Sequence, residues 1–191
     1  MANESVDRRV RKTQKQLRQG LTELLEEKSA KNITVRELCQ RVDINRGTFY
    51  LHYRDIFDLV DQIEKEMFED FHNVLDKHPL KSLMAKPLPM LIDVFRFVSK
   101  NSDMCKVLIG ENGDLTFINR LKDLVKNRCL DDWMKIFNTG KTKNFEYYYS
   151  FIVAGCIGLL QTWVESGLKE SPEQMASLAE QMIMTGINVL K

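Results

Sequence analysis

The chain has 191 residues, 43% of them apolar and 29% charged, which suits one folded unit or two small ones and excludes a disordered or fibrous chain. Twenty-eight Lys and Arg against 27 Asp and Glu leave a net charge of +1, so the molecule as a whole is no polyelectrolyte. Four scattered cysteines without a CxxC, and three histidines without an HExxH, disfavour a disulfide framework and a metal centre, so neither a metal nor a cofactor is expected. The N-terminus lacks a signal-peptide stretch, and the longest apolar run, Phe151 to Leu160, is too short to cross ~30 Å of hydrocarbon. A cytoplasmic protein with no membrane partner is expected. The small net charge hides an asymmetry: residues 1–54 hold 12 Lys and Arg against 7 Asp and Glu, whereas residues 55–191 hold 16 against 20. A basic head on an acidic body is the layout of a module that meets phosphates at one end.

Apolar residues recur with helical period along almost the whole chain. Val10, Leu17, Leu21, Leu24 and Leu25 form a stripe on a first helix that also carries Arg8, Arg9, Arg11, Lys12, Lys15 and Arg18. Ser29 to Asn32 break the pattern. Thr34-Val35-Arg36-Glu37 then reads as a capping box, with Ile33 and Leu38 as its hydrophobic staple. The helix it opens runs from Val35 to Val42 and stops at Asp43, a residue that tolerates the left-handed conformation. Asn45 caps a third helix, Arg46 to about His52, stapled by Ile44 and Phe49. Gly47 inside it is worse than Ala by about 1 kcal/mol for helix stability, so a close backbone approach is the better reason for it. A start near Asp55 opens a long stripe of Leu59, Ile63, Met67, Phe71, Val74 and Leu75. Helices follow from Leu88 to about Lys100, from Asp103 to Ile109 before a Gly110-Glu111-Asn112-Gly113 turn, and from Leu115 to Phe137. Phe145 to about Ser166 comes next, with Gly167 as C′ cap, and Ser171-Pro172-Glu173-Gln174 is a capping box that opens a last helix reaching Leu190. The expected fold class is all-α, with about nine helices.

Two short helices joined by a three-residue turn make a helix-turn-helix, and the second has the length that enters a DNA major groove. Leu38, Val42, Ile44 and Phe49 close an apolar wedge between them and leave Arg46, Thr48, Tyr50 and His52 pointing outward. These are phosphate and base-edge chemistries; a guanidinium at Arg46 addresses guanine O6 and N7 in bidentate fashion, worth about 1–3 kcal/mol of discrimination. Asn45 at the cap is expected to leave amides near the helix start for a phosphate oxygen. The plainer alternative is an αα-corner with a solvated polar face.

Thr34 to Leu38, and Asp43-Ile44-Asn45-Arg46-Gly47-Thr48-Phe49-Tyr50-Leu51-His52-Tyr53, closely resemble the DNA-binding region of TetR-family transcriptional regulators, a resemblance that covers residues 8 to about 60. It implies a three-helix DNA-binding head, residues 1–55, and a long fourth helix leading into a ligand-binding, dimerising helical body, residues 56–191. It also implies that Thr34 and Arg36 touch backbone phosphate or a base, that Arg46 reads bases, and that Gly47, Thr48, Tyr50 and His52 make phosphate or backbone-positioning contacts. This chain departs from the family in two places. Val42-Asp43 stands where a small residue and a glycine are usual, and Ile56 replaces a lysine common early in the fourth helix; Arg54 is the substitute for that phosphate contact.

The body resembles the C-terminal region of a TetR-like subgroup at Leu108 to Asp114, Ser150-Phe151, Gly155 and Trp163 to Gly167. Independently, Phe151, Ile152, Val153, Ala154, Cys156, Ile157, Leu159 and Leu160 occupy all faces of their helix, so both sides need covering, and Gly155 and Gly158 let another helix come close. A four-helix dimer interface is expected from the last two helices of two chains, with Phe151, Gly155, Gly158, Trp163, Met182 and Ile183 in it. Such a two-fold dimer presents its recognition helices to half-sites about 34–36 Å apart, or a multiple of that. Met67, Phe95, Trp133, Phe137 and Tyr148 are candidates for lining a small-molecule cavity, against the plainer reading of aromatics and Met as core. The function expected is a homodimeric regulator, a repressor, that binds double-stranded operator DNA under control of an unidentified small-molecule effector. The alternative is a helical protein-interaction module with a degenerate head. No Walker loop, GxSxG or Rossmann fingerprint is present, so no enzyme is expected.

Overall fold

The structure, a computed structural model, describes the backbone of residues 2–78, 87–109, 115–136 and 143–186, and the side chains of residues 8–78, 87–109, 115–126 and 146–185. Among the described residues there are nine α-helices, a single 3-10 turn and no strand, as the periodicity requires: α1 (Ala2–Glu27), α2 (Val35–Arg41), α3 (Arg46–Tyr50), α4 (Ile56–Asp76), α5 (Leu88–Lys100), α6 (Ser102–Ile109), α7 (Leu115–Ile136), α8 (Lys143–Glu165) and α9 (Pro172–Gly186). The turn expected at residues 110–113, Phe137 and Leu190 lie outside the described residues, as does the Trp133 side chain. No described helix is long and apolar enough to cross a membrane. The chain divides into two compact units, Met1–Met67 and Phe68–Lys191, and α4 is continuous from one into the other.

In the N-terminal unit, Leu17, Leu21 and Leu24 of α1 are fully buried. Gly20 lies between them where α2 crosses. A Cβ there would run into Val42 Cγ1 and stand 3.2 Å from Leu38 Cδ1, so glycine leaves the space that these two side chains fill. No sequence pattern pointed to Gly20, because a glycine inside a helix carries no periodicity of its own. The turn after α2 forms as its residues predict. Asp43 adopts φ +52°, and the Ile44 amide donates to the Cys39 carbonyl at 2.9 Å, the closure that glycine usually provides.

The C-terminal unit is assembled by similar local devices. Gly167 (φ +83°) ends α8, with its own amide donating to Val164 and the Leu168 amide donating to Trp163, 3.1 and 3.0 Å. The capping box of α9 is reciprocal: the Ser171 amide donates to Gln174 Oε1 at 2.8 Å, and the Gln174 amide to Ser171 Oγ at 3.2 Å. Helix α9 lies along α5, burying Met175, Ala176, Ala179 and Ile183. Arg96 pairs with Glu173 at 2.8 Å, the Leu88 amide donates to Glu180 Oε1 at 3.2 Å, and His78 just after α4 meets Asp93 of α5 at 2.9 Å.

Gly20→Ala adds an overpacking cost of about 1–3 kcal/mol, offset by a helix-propensity gain of up to about 1 kcal/mol. The expected outcome is a protein destabilised by about 1–2 kcal/mol, seen as a lower urea midpoint by circular dichroism. Val42→Ala is expected to weaken the Gly20→Ala protein less than it weakens the wild type, because it removes the atom the new methyl strikes.

Candidate nucleic-acid interface

A five-residue helix has no stability of its own, so α3 depends on its cap and its buried ring. Asn45 is extended, and its Oδ1 accepts from the Gly47 amide at 2.7 Å, while its carbonyl accepts from the amides of Thr48 and Phe49 at 2.9 and 3.2 Å. The amides of Gly47, Thr48 and Phe49 are therefore engaged by Asn45, which narrows the amides expected for a phosphate oxygen to that of Arg46 at the helix start. Gly47 has a local explanation too: a Cβ there would stand 3.2 Å from Asn45 Oδ1, pressing on the capping bond. Phe49 is fully buried and Tyr53 nearly so, with ring centroids 5.6 Å apart, and Tyr50 meets Phe49 edge-on at 5.5 Å.

With Phe49 and Tyr53 turned inward, Arg46, Gly47, Tyr50, Leu51 and Arg54 are exposed, while Thr48 and His52 are half-buried. The Arg46 guanidinium hydrogen-bonds the Tyr50 hydroxyl one turn on, which lifts its pKa above the ordinary arginine value. The helix is shorter than the sequence suggested, since Leu51 caps it and His52 already lies in the turn. Thr34 caps α2 by accepting from the Glu37 amide at 3.2 Å; its hydroxyl proton stays available for an acceptor, and Arg36 in the first turn is exposed. Arg54 is 86% exposed along its side chain and pairs with Asp58 at 3.3 Å. Ile56, at the position of the missing lysine, is core.

Several of the head's cations are held by its own carboxylates: Arg18 by Glu66 at 3.4 Å, Arg41 by Glu27 at 3.0 Å and Glu23 at 3.6 Å, and Lys28 by Glu37. Arg8, Arg9, Lys12 and Lys15 of α1, with Lys31 and Arg36, are exposed. The hydrogen bond from Lys28 pulls the Glu37 carboxyl below its usual range, helped by the Thr34 backbone. The sequence showed the capping box and missed Lys28, nine residues away. Asp58 is lowered mainly by the Arg54 amide, which donates to it at 2.8 Å. Burial pushes the phenol of Tyr53 and the thiol of Cys39 up.

The residues expected at a dimer face separate into two groups. Phe151 is 72% and Met182 55% exposed, Gly155 is exposed, and nothing lies within 4 Å of a Cβ built on Gly155 or Gly158. Trp163 and Ile183 are different: both are core of the subunit itself. Trp163 packs edge-on against Phe95 at 5.3 Å and donates from Nε1 to the Glu170 carbonyl at 3.1 Å, while the Ile183 carbonyl accepts from the Tyr148 hydroxyl at 2.7 Å. The same contacts occupy two of the expected cavity residues, Phe95 and Tyr148, and burial pushes Tyr148 up to about 12. Met67 is buried and closes the N-terminal unit, and the side chains of Trp133 and Phe137 lie outside the described residues. Among the described residues no group of three His, Cys, Asp or Glu could hold a metal ion.

Residues 85–185 match the TetR C-terminal family described as "Transcriptional regulator C-terminal region". A stretch of 60 residues is 28% identical to the uncharacterized HTH-type transcriptional regulator YxbF of Bacillus subtilis, covering 31% of this chain and 16% of that protein; the chain thus spans about a sixth of the curated relative it matches. A TetR transcriptional regulator from Streptococcus agalactiae shares the fold, with TM-score 0.60, 17% identity and coverage of 95% of this chain and 98% of that one. FadR from Bacillus subtilis, solved in complex with stearoyl-CoA, does so at TM-score 0.66 and 12% identity, over 90% of this chain and 98% of its own.

Glu37 and Asp58 are held below their ordinary values of 4.5 and 3.8, so their contribution to stability is full above those values and is lost as pH falls through the depressed ones. The thermal midpoint is expected to fall as pH drops below about 4.5, less steeply in Glu37→Gln and Asp58→Asn. The Glu37 pair with Lys28 is partly open to solvent, so added salt shrinks the difference between Glu37→Gln and wild type.

Proposed function

This chain belongs to the TetR family of transcriptional regulators, and from that premise we propose that it is a homodimeric, sequence-specific repressor of double-stranded operator DNA whose helical body takes a small-molecule effector. The observation that carries the reading is the outward edge of α3, where Arg46, Gly47 and Tyr50 stand exposed on a capped helix sealed beneath by Phe49. In this reading Arg46 is the base-reading group. Thr34, Arg36, Tyr50 and Arg54 donate to phosphates, and Thr48 and His52 position the backbone. Asn45 and Gly47 act by shaping the helix start.

The exposed face that Phe151, Gly155 and Gly158 of α8 share with Met182 of α9 supports a four-helix dimer interface. A large ring beside two bare backbone positions gives a projection and a recess that a two-fold partner can match. Repression follows from occupancy: a dimer over two half-sites obstructs the promoter in the cytoplasm. The effector is assigned to the C-terminal unit and acts by favouring a dimer whose heads no longer match the half-site spacing. That FadR is seen with stearoyl-CoA supports a body of this architecture admitting a ligand, whose identity here is open.

Arg46→Ala is expected to bring the affinity ratio between selected operator and random duplex close to one at fixed salt, a loss of about 1–3 kcal/mol of discrimination; a retained ratio overturns the base-reading role. Phe151→Glu is expected to sediment as a monomer with unchanged helix content and to bind the operator far more weakly, whereas a persisting dimer overturns the interface. Transcription in vitro from an operator-bearing promoter is expected to fall as the protein is added. A rise makes the protein an activator.

A further inference from the structure

The outward face of α3 holds one residue that none of the roles above uses. Leu51 is the C-cap of the helix and is 80% exposed, the most exposed large apolar side chain among the described residues. It lies one turn beyond Gly47, on the side of the helix turned away from the buried Phe49 and Tyr53, and Arg46, Gly47 and Tyr50 are exposed as well. Leucine has neither donor nor acceptor, so it reads no hydrogen-bonding pattern. The apolar group that a base edge presents in the major groove is the C5-methyl of thymine. The sugar-phosphate backbone is polar and suits Tyr50 and Arg54, on either side of Leu51 in sequence, better. Phe57, the other strongly exposed apolar residue of the head at 60%, belongs to the first turn of α4 and not to this face.

Resting on the DNA-binding reading of α3, we infer that Leu51 is a specificity-determining residue that packs on the C5-methyl of one thymine in each half-site, beside the base pair addressed by Arg46. Its exposure in the DNA-free chain is then the surface that base contact covers.

The test uses the full chain and a duplex it selects from a random-sequence pool. Each thymine of that duplex is replaced in turn by uracil, which removes only the methyl. One thymine per half-site is expected to lose about fourfold in affinity on replacement, the worth of one buried methyl group. Leu51→Ala, whose native side chain stands almost wholly in solvent, is expected to keep the wild-type circular dichroism spectrum. It binds the thymine and uracil forms at that position equally, while the other replacements have unchanged effects. Leu51→Met retains the methyl sensitivity. A wild type with a preferred duplex, none of whose thymine effects disappears in Leu51→Ala, overturns this assignment alone. A wild type with no preferred duplex overturns the regulator reading along with it.

Discussion

Phe49 has no exposed surface, and the orientation of the whole candidate DNA edge follows from that burial. A helix of five residues cannot repay the nucleation it requires, so its stability comes from outside: a buried aromatic ring worth about 1.5–3 kcal/mol and an N-cap worth about 1 kcal/mol. Once the ring is seated against Tyr53, and Asn45 holds the first turn, the rotation of α3 about its axis has no freedom left. Tyr50, about 100° around the axis from Phe49, must face out. Arg46, one turn before Tyr50 and about 60° from Phe49, stands exposed beside it. Gly47 leaves the capping oxygen its room, since a Cβ there would stand 3.2 Å from Asn45 Oδ1.

Electrostatics in the head serves two separate purposes. Arg41, pairing with Glu23 and Glu27, ties α2 to α1, and Lys28 supports the carboxylate at the start of α2, so these cations position the recognition unit. The exposed cations of α1 and α2 carry the field that a polyanion meets, a long-range and salt-sensitive attraction. The family departures sort in the same way. Asp43 takes over the left-handed position with an unbroken closure, so the turn keeps its shape. Ile56 gives a cation position to the core, and Arg54 is left as the basic group at the entry to α4.

The body shows how one apolar helix serves two surfaces. Helix α8 buries Tyr148, Tyr149, Ile152, Val153, Trp163 and Val164 on one side and presents Tyr147, Phe151 and Gly155 on the other. Helix α9 is divided likewise: Met175, Ala176, Ala179 and Ile183 are buried in the subunit, while Leu178 and Met182 remain exposed. Trp163 and Ile183 are therefore what hold these helices to the subunit, and the residues left over form the unpartnered face.

The sequence by itself determined the all-α class, most of the helix caps and the local chemistry of the turns. Thr34 with Glu37, Asn45 with Gly47, the left-handed Asp43, Gly167, and Ser171 with Gln174 all act within a few residues, where identity and spacing already contain the geometry. The candidate DNA edge was legible for the same reason, because its inward and outward positions follow from a single short period. Tertiary structure alone decided which side of the evenly apolar α8 is core, that Trp163 belongs to Phe95, and that Gly20 is reserved for Val42. Packing between distant residues depends on shape and volume in three dimensions, and a hydrophobic residue bears no mark of which neighbour will cover it.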